Sequence, residues 1–259
     1  MRSPVARMDG LPEPGYKKIK PVSELNFYYE QPIPAETDWP EALTMFLDLF
    51  SGRQLSISLY EECGFDKLSK AETYIVKFNY GALLMEWLLQ HFPLKTIWML
   101  RHPCAVIASQ LKMDYFNKVS IPDSPALPVF RHHEVYLKHS EIYRSIRSPE
   151  QYLAFRWALS VSVCMRCHQN NQNVLLVHYE NLLNNYDSEL QRIFIHLGRP
   201  VPAEAVPLHR RPSRASLPEA VDGIRIGKNP DAWKHQLDRQ QIRNIAMVIR
   251  HFGIDLYAT

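Results

Sequence analysis

The chain has 259 residues, 46% hydrophobic and 22% charged, a globular balance with a core large enough to need no disulfide staples; it excludes a disordered, collagen-like or coiled-coil chain. Its 30 Lys and Arg against 27 Asp and Glu leave a net charge of +3, too mild to imply nucleic acid but suited to a ligand carrying a few negative charges. Cys63, Cys104, Cys164 and Cys167 make no disulfide framework in a chain of this length and point to a reducing compartment.

Residues 1–40 contain seven prolines, from Pro4 to Pro40, and no sustained helical period, so an irregular lead-in is expected, with one extended piece from Leu25 to Glu30. No apolar stretch follows the charges at the start, so no secretory signal is read and a cytoplasmic location is expected. The longest apolar runs, such as 96–100 and 174–177, are strand-length, far short of the roughly 20 residues of a spanning helix, and no membrane contact is expected.

From Trp39 to Phe50 the apolar spacing predicts an amphipathic helix broken at Gly52. Thr73 to Phe78 reads as a buried strand, Gly81 to Phe92 as a helix, Leu94 to Leu100 as a second apolar strand and Pro103 to Lys112 as a helix. Asn117 to Pro128 is a loop of the length that often closes over a substrate. Ser148 as N-cap, Pro149 in the first turn and Gln151 completing a capping box start a helix to about His168. A strand from Asn173 to His178 follows, then a helix from about Ser188 to Leu197 stopped at Gly198 and Pro200. Residues 202–230 are loop-like, and Asp238 to Phe252 closes the chain as a helix. Strands alternating with helices predict an α/β fold with a parallel sheet.

The segment from Leu94 to Leu111 carries most of the chemical information. An apolar strand ends in Arg101-His102-Pro103 and a helix begins at once, which puts Arg101 at the carboxyl end of a parallel strand, where open α/β sheets bind ligands. Ser109, eight residues on and two helical turns along, is spaced to share an anion with the guanidinium. Taken alone, the same spacing suits a strand-end Arg paired with a surface carboxylate and a Ser facing solvent.

Ile75-Val-Lys77-Phe-Asn79 followed by Phe92-Pro93 and Arg101-His-Pro103 through Ser109 resembles the central block of the PAPS-dependent sulfotransferases, PAPS being 3′-phosphoadenosine 5′-phosphosulfate. The resemblance implies that Arg101 and Ser109 bind the 3′-phosphate. Downstream, Tyr179-Glu180-Asn-Leu182 resembles the family's strand-end Y-E-D-L, whose Tyr lies near the adenine, and Arg225-Ile-Gly227-Lys228 through Trp233 resembles its late loop on the 3′-phosphate. Arg225, Gly227 and Lys228 are thereby implied as nucleotide contacts, with Trp233 packing beneath. A phosphate of about two negative charges fits such a set of cations. Without the resemblance, Tyr179 reads as a core tyrosine with its hydroxyl satisfied.

The implied fold is a single three-layer α/β/α domain over 1–259, with a central parallel sheet of the P-loop NTPase-like sulfotransferase type. It comprises the lead-in 1–40, an α/β core at 73–200, a cofactor-closing loop at 201–237 and the C-terminal helix at 238–259. It departs from the family at the start: no strand followed by a Gly- and Ser/Thr-rich loop precedes residue 40 to grip the phosphosulfate. The run Gly223 to Asn229 is one residue short of a Walker loop and ends without Ser or Thr. Either the loop lies upstream of Met1 or the chain is a degenerate member.

For transfer to an acceptor hydroxyl, Lys77 matches the family's second-strand Lys. Asn79 stands where the aryl branch has a catalytic His, and a neutral amide takes no proton. Phe27-Tyr-Tyr-Glu30-Gln-Pro32 resembles the early Glu setting of carbohydrate branches and makes Glu30 the candidate base; read by itself, Glu30 is equally an ordinary charged residue at an extended edge. The expected activity is sulfuryl transfer from PAPS to a hydroxyl acceptor, a saccharide or other small molecule, with PAP (3′,5′-ADP) as product and without metal or nucleic acid. The alternative is an inactive 3′-phosphonucleotide- or partner-binding module, and a related nucleotide kinase is disfavoured by the missing Walker residues.

Cys164-Met-Arg-Cys167-His168 matches a haem-attachment pattern but falls within a helix, where two cysteines packing in a core are expected instead. For zinc, His132-His133 is a weak second ligand pair. The basic run from His209 to Arg214 is too short to read as a nucleic-acid patch.

Overall fold

The computed structural model describes residues 32–51, 70, 73–79, 81–113, 134–203, 205 and 229–257, and the backbone of 5–8. Two compact units emerge, Met1–Pro93 with Val129–His133, and Leu94–Pro128 with Glu134–Thr259.

In the first unit, strand β1 (Val5–Met8) pairs in parallel with β2 (Ile75–Phe78), Val5 opposite Ile75 and Met8 opposite Phe78. This corrects the expectation of an irregular lead-in lacking a first strand. Four residues beside Pro4 are too few to show alternation in the sequence, and their strand state comes from pairing with β2. The expected extended piece at 25–30 lies outside the described residues. Nor is β2 buried on both faces as its apolar run suggested: Ile75 and Lys77 are exposed and Val76 and Phe78 half-buried, the alternation of a strand covered on one face.

Helix α1 (Pro40–Phe50) starts with Pro40 at its first positions and Glu41 in its first turn, both favourable at a helix N-terminus. It buries Ala42 and Phe46, and Phe46 meets the rings of Phe50, Phe78, Trp87 and Phe92. The helix expected over 81–92 is a 3-10 turn (Ala82–Leu84) running into α2 (Met85–His91). Gly81 permits that start, because a Cβ there would lie 2.7 Å from Cδ1 of Phe78. Trp87 is fully buried, and its indole Nε1–H donates to the Thr37 carbonyl at 2.8 Å, so its burial leaves no polar atom unpaired.

In the second unit, β3 (Thr96–Leu100) and β4 (Val174–His178) pair in parallel, Thr96 opposite Val174 and Leu100 opposite His178. Between them run α3 (Pro103–Leu111), the short α4 (Glu134–Leu137) and α5 (Ser140–Ser145), and the 22-residue α6 (Pro149–Asn170). After β4 come α7 (Tyr179–Asn184) and α8 (Tyr186–Leu197), then a 3-10 turn (Ala232–His235) and α9 (Arg239–His251). Gly198 ends α8 with a left-handed φ of 66°, and Arg199 N–H bonds back to the Phe194 carbonyl, as the glycine stop predicted.

The core lies where α6 packs on α9 and α3, with Phe155, Ala158, Cys164, Ile107, Ile245 and Val248 almost wholly buried. Two polar side chains within it are paired. Glu150 accepts from Asn244 Nδ2 at 2.7 Å, and Gln151 accepts from the Arg147 N–H at 2.7 Å. Gln151 therefore does not close a capping box, and the Ser148 hydroxyl makes no cap bond.

The fold is mixed α/β with parallel pairing. Its described strands form two two-stranded sheets, so the three-layer arrangement with one central sheet is not displayed by these residues. Among them, no helix is long and apolar enough to cross a membrane.

Candidate functional site

The β3–β4 register dictates the centre of the site. Because Leu100 lies opposite His178, the next residue on each strand, Arg101 and Tyr179, leaves the sheet at the same edge. Their side chains meet there, with the Arg101 guanidinium carbon 5.0 Å from the centre of the Tyr179 ring. The ring face holds the planar cation in one orientation. Nε of Arg101 is buried and donates to nothing among the described residues; a buried guanidinium N–H without an acceptor is costly unless a ligand supplies one.

One residue on, His102 caps α3. Its Nδ1 accepts from the Cys104 N–H at 3.2 Å, so that nitrogen carries no proton. Pro103 stands at the first helical position, where the missing N–H costs nothing. Burial lowers the pKa of His102 below its usual 6.5, against the opposing pull of Glu180 and Asp231. The imidazole is sandwiched: it stacks on Trp233 at 4.6 Å and 18°, and takes the edge of Tyr257 at 4.9 Å.

Glu180, on the first turn of α7, joins the two strand ends. Its Oε1 accepts from the His102 N–H at 2.8 Å and its Oε2 from the Tyr257 hydroxyl at 3.0 Å. The same hydroxyl lies 3.1 Å from His178 Nδ1. Burial, and after it the Glu180 charge, raise the pKa of Tyr257, so the phenol keeps its proton. Backbone, carboxylate, phenol and imidazole thus form one chain across the carboxyl edge of the β3–β4 pair.

Of the residues singled out from the sequence, Arg101 and Tyr179 are brought together. Ser109 is exposed on α3, six residues or about 9 Å of helix rise beyond Pro103. Lys77 is exposed on β2 in the other unit. Glu30, Arg225, Gly227 and Lys228 lie outside the described residues, as does the stretch 117–128 where a loop is expected. The sequence reading missed His102 and Tyr257 and assigned Glu180 no role. For Glu180 a signal existed, an acidic residue right after a strand end; for Tyr257 there was none, since its partner lies 77 residues away.

The three described cysteines are spent on packing. Cys104, Cys164 and Cys167 are buried and form no disulfide. Burial pushes the Cys104 thiol up to about 11 and that of Cys164 higher still. His168 directs Nδ1 at the Val174 carbonyl, 2.8 Å away. Among the described residues, no group of three or more His, Cys, Asp and Glu is placed to hold a metal ion.

No family model matches the chain, and no curated protein matches it. Among solved structures, a sulfotransferase domain from the curacin biosynthetic pathway is similar over 91% of this chain and 78% of that chain, with 14% sequence identity and a TM-score of 0.42. That likeness is too slight to carry an argument, and the functional reading rests on the strand-end geometry.

Proposed function

We propose that the chain is a sulfotransferase that takes PAPS as donor and a saccharide hydroxyl as acceptor, working as a single domain in the cytoplasm. The observation that carries the reading is the Arg101 guanidinium, held over Tyr179 at the carboxyl edge of two parallel strands with a buried Nε that finds no acceptor among the described residues. A phosphate oxygen is one acceptor that would satisfy this donor. The 3′-phosphate lies against Arg101 and Ser109, with Arg225, Gly227 and Lys228 closing over it and Tyr179 beside the adenine. Bound PAPS supplies the sulfuryl group and leaves as PAP. Glu30 takes the proton of the acceptor hydroxyl, and Lys77 offsets negative charge on the departing phosphate.

A second reading, a module that binds a 3′-phosphonucleotide without transfer, is favoured by one feature. The sequence as it stands holds no Gly- and Ser/Thr-rich cradle for the phosphosulfate.

Calorimetric titration with PAP tests the shared premise. Micromolar binding by the wild-type chain, lost in Arg101→Ala, is the expected result; no heat at millimolar PAP from a folded sample overturns it. Transfer of radiolabelled sulfate from PAPS to a saccharide panel then separates enzyme from module.

A further inference from the structure

We propose that Tyr257 is a positioning residue: through Glu180 it holds the turn that carries Arg101, and so sets how tightly the strand-end site grips an anion. The claim rests on the reading of Arg101 as an anion ligand. It goes beyond that reading by giving the end of the chain a part in the site.

The argument starts from proton counting. A carboxylate only accepts. Glu180 accepts one hydrogen bond from the His102 backbone N–H and one from the Tyr257 hydroxyl, at 2.8 and 3.0 Å. The hydroxyl's single proton is then committed, so its contact with His178, at 3.1 Å, requires Nδ1 of that imidazole to be the donor. The chain runs in one direction, from His178 through Tyr257 to Glu180, with the His102 N–H closing on the other carboxylate oxygen.

Each link sits beside a residue of the site. His178 precedes Tyr179, and His102 follows Arg101. The Glu180 carboxylate fixes the peptide at the exact point where β3 becomes α3, and Tyr257 fixes the carboxylate. Tyr257 also lays its ring edge against His102 and lies 6.3 Å from Trp157 of α6, so the tether is anchored on the core helix. Removing the hydroxyl leaves a carboxylate oxygen and an imidazole N–H unpaired in a part-buried site, which frees Glu180 to turn and the His102 peptide to open.

The test uses the full chain and three readouts: amide hydrogen exchange at His102, PAP affinity, and the ring-nitrogen shifts of His178 at about pH 8, where a neutral imidazole shows its tautomer. Tyr257→Phe is expected to speed exchange at His102 and to weaken PAP about five-fold, the scale of one lost hydrogen bond. Glu180→Gln, with Tyr257 intact, is expected to keep both near wild type. Its amide accepts from His102 and donates to the Tyr257 oxygen, which reverses the chain and moves the His178 proton from Nδ1 to Nε2, a signature that loosened packing alone does not produce. Wild-type exchange and affinity in a folded Tyr257→Phe overturn the proposal. So does a Glu180→Gln chain whose His178 keeps its tautomer, and this arm decides the matter if Tyr257→Phe fails to fold. If the wild-type chain binds no PAP, the nucleotide reading fails by itself; positioning is then decided by exchange at His102, supported if Tyr257→Phe speeds it and overturned if it does not.

Discussion

The imidazole of His102 lies nearly parallel to the indole of Trp233, ring centres 4.6 Å apart, while its Nδ1 accepts from the Cys104 N–H. The cap needs a neutral ring. A proton on Nδ1 would delete the acceptor and place a positive charge at the positive end of α3. Burial accordingly holds the pKa of His102 below 6.5. The unfolded chain binds this proton at a higher pH than the native chain does, so the group's effect is a loss of stability as pH falls below 6.5, with none above it. Trp233→Ala uncovers the ring and is expected to raise its pKa toward the ordinary value. NMR titration of the His102 ring protons checks this, and an unchanged midpoint would show that Trp233 is not what keeps water away.

Arg101 over the Tyr179 ring makes a second prediction, one that separates the ring from its hydroxyl. The 5.0 Å contact is with the ring face, so Tyr179→Phe should bind PAP within about two-fold of wild type, whereas Tyr179→Ala should lose about five-fold. Arg101→Lys keeps the charge but loses the planar fork, and is expected to bind PAP more weakly than wild type while exceeding Arg101→Ala. Equal affinities for the Lys and Ala variants would mean that the guanidinium geometry, rather than its charge, governs the site.

Much of this edge was legible in the sequence because its signals are local. An apolar run, then Arg101-His102-Pro103, then a helical period places Arg101 at a strand end, and Pro103 begins the helix as the pattern requires. A similar logic located β4 and the residues after it. What brought Arg101 and Tyr179 together was the register of two strands separated by 73 residues between Leu100 and Val174, which no local pattern encodes. Tyr257 and Glu180 are likewise joined only by folding. Strand β1 went unread for another reason: Val5–Met8 has four residues and an Arg in its middle, so partner pairing rather than propensity makes it a strand.

Two helix starts show how far a cap motif can mislead. Ser148-Pro149-Glu150-Gln151 has the letters of a capping box, yet the Ser148 hydroxyl is buried with no partner among the described residues and Gln151 serves the Arg147 N–H. Asp238 at the head of α9 closes a genuine box, accepting from the Gln241 N–H at 2.8 Å while Gln241 accepts from the Asp238 N–H at 2.9 Å. Ser148→Ala should therefore change stability by less than about 0.5 kcal/mol or raise it, and Asp238→Ala should cost about 1 kcal/mol. Urea denaturation of the two variants against wild type decides; a Ser148→Ala cost matching that of Asp238→Ala would reinstate the cap that the sequence suggested.

His139, just ahead of α5, stacks on Phe252 at 4.0 Å and meets His251 edge-on at 5.4 Å, and its Nδ1 is buried without a hydrogen-bond partner among the described residues. Burial, then the neighbouring His251, Lys138 and Arg166, lower its pKa from 6.5 to about 4. The sign follows from the depressed value. Above 6.5 both native and unfolded chains carry a neutral ring and pH has no effect; between 6.5 and about 4 the unfolded chain takes a proton that the native chain refuses, so stability falls as the solution becomes more acid. His139→Phe keeps a flat ring against Phe252 and removes the titrating group. Melting temperatures across that interval should fall less steeply for the variant than for wild type, and the two curves should run at a constant offset above it. Parallel curves through the whole interval would place the acid sensitivity elsewhere, with His102 the next group to replace.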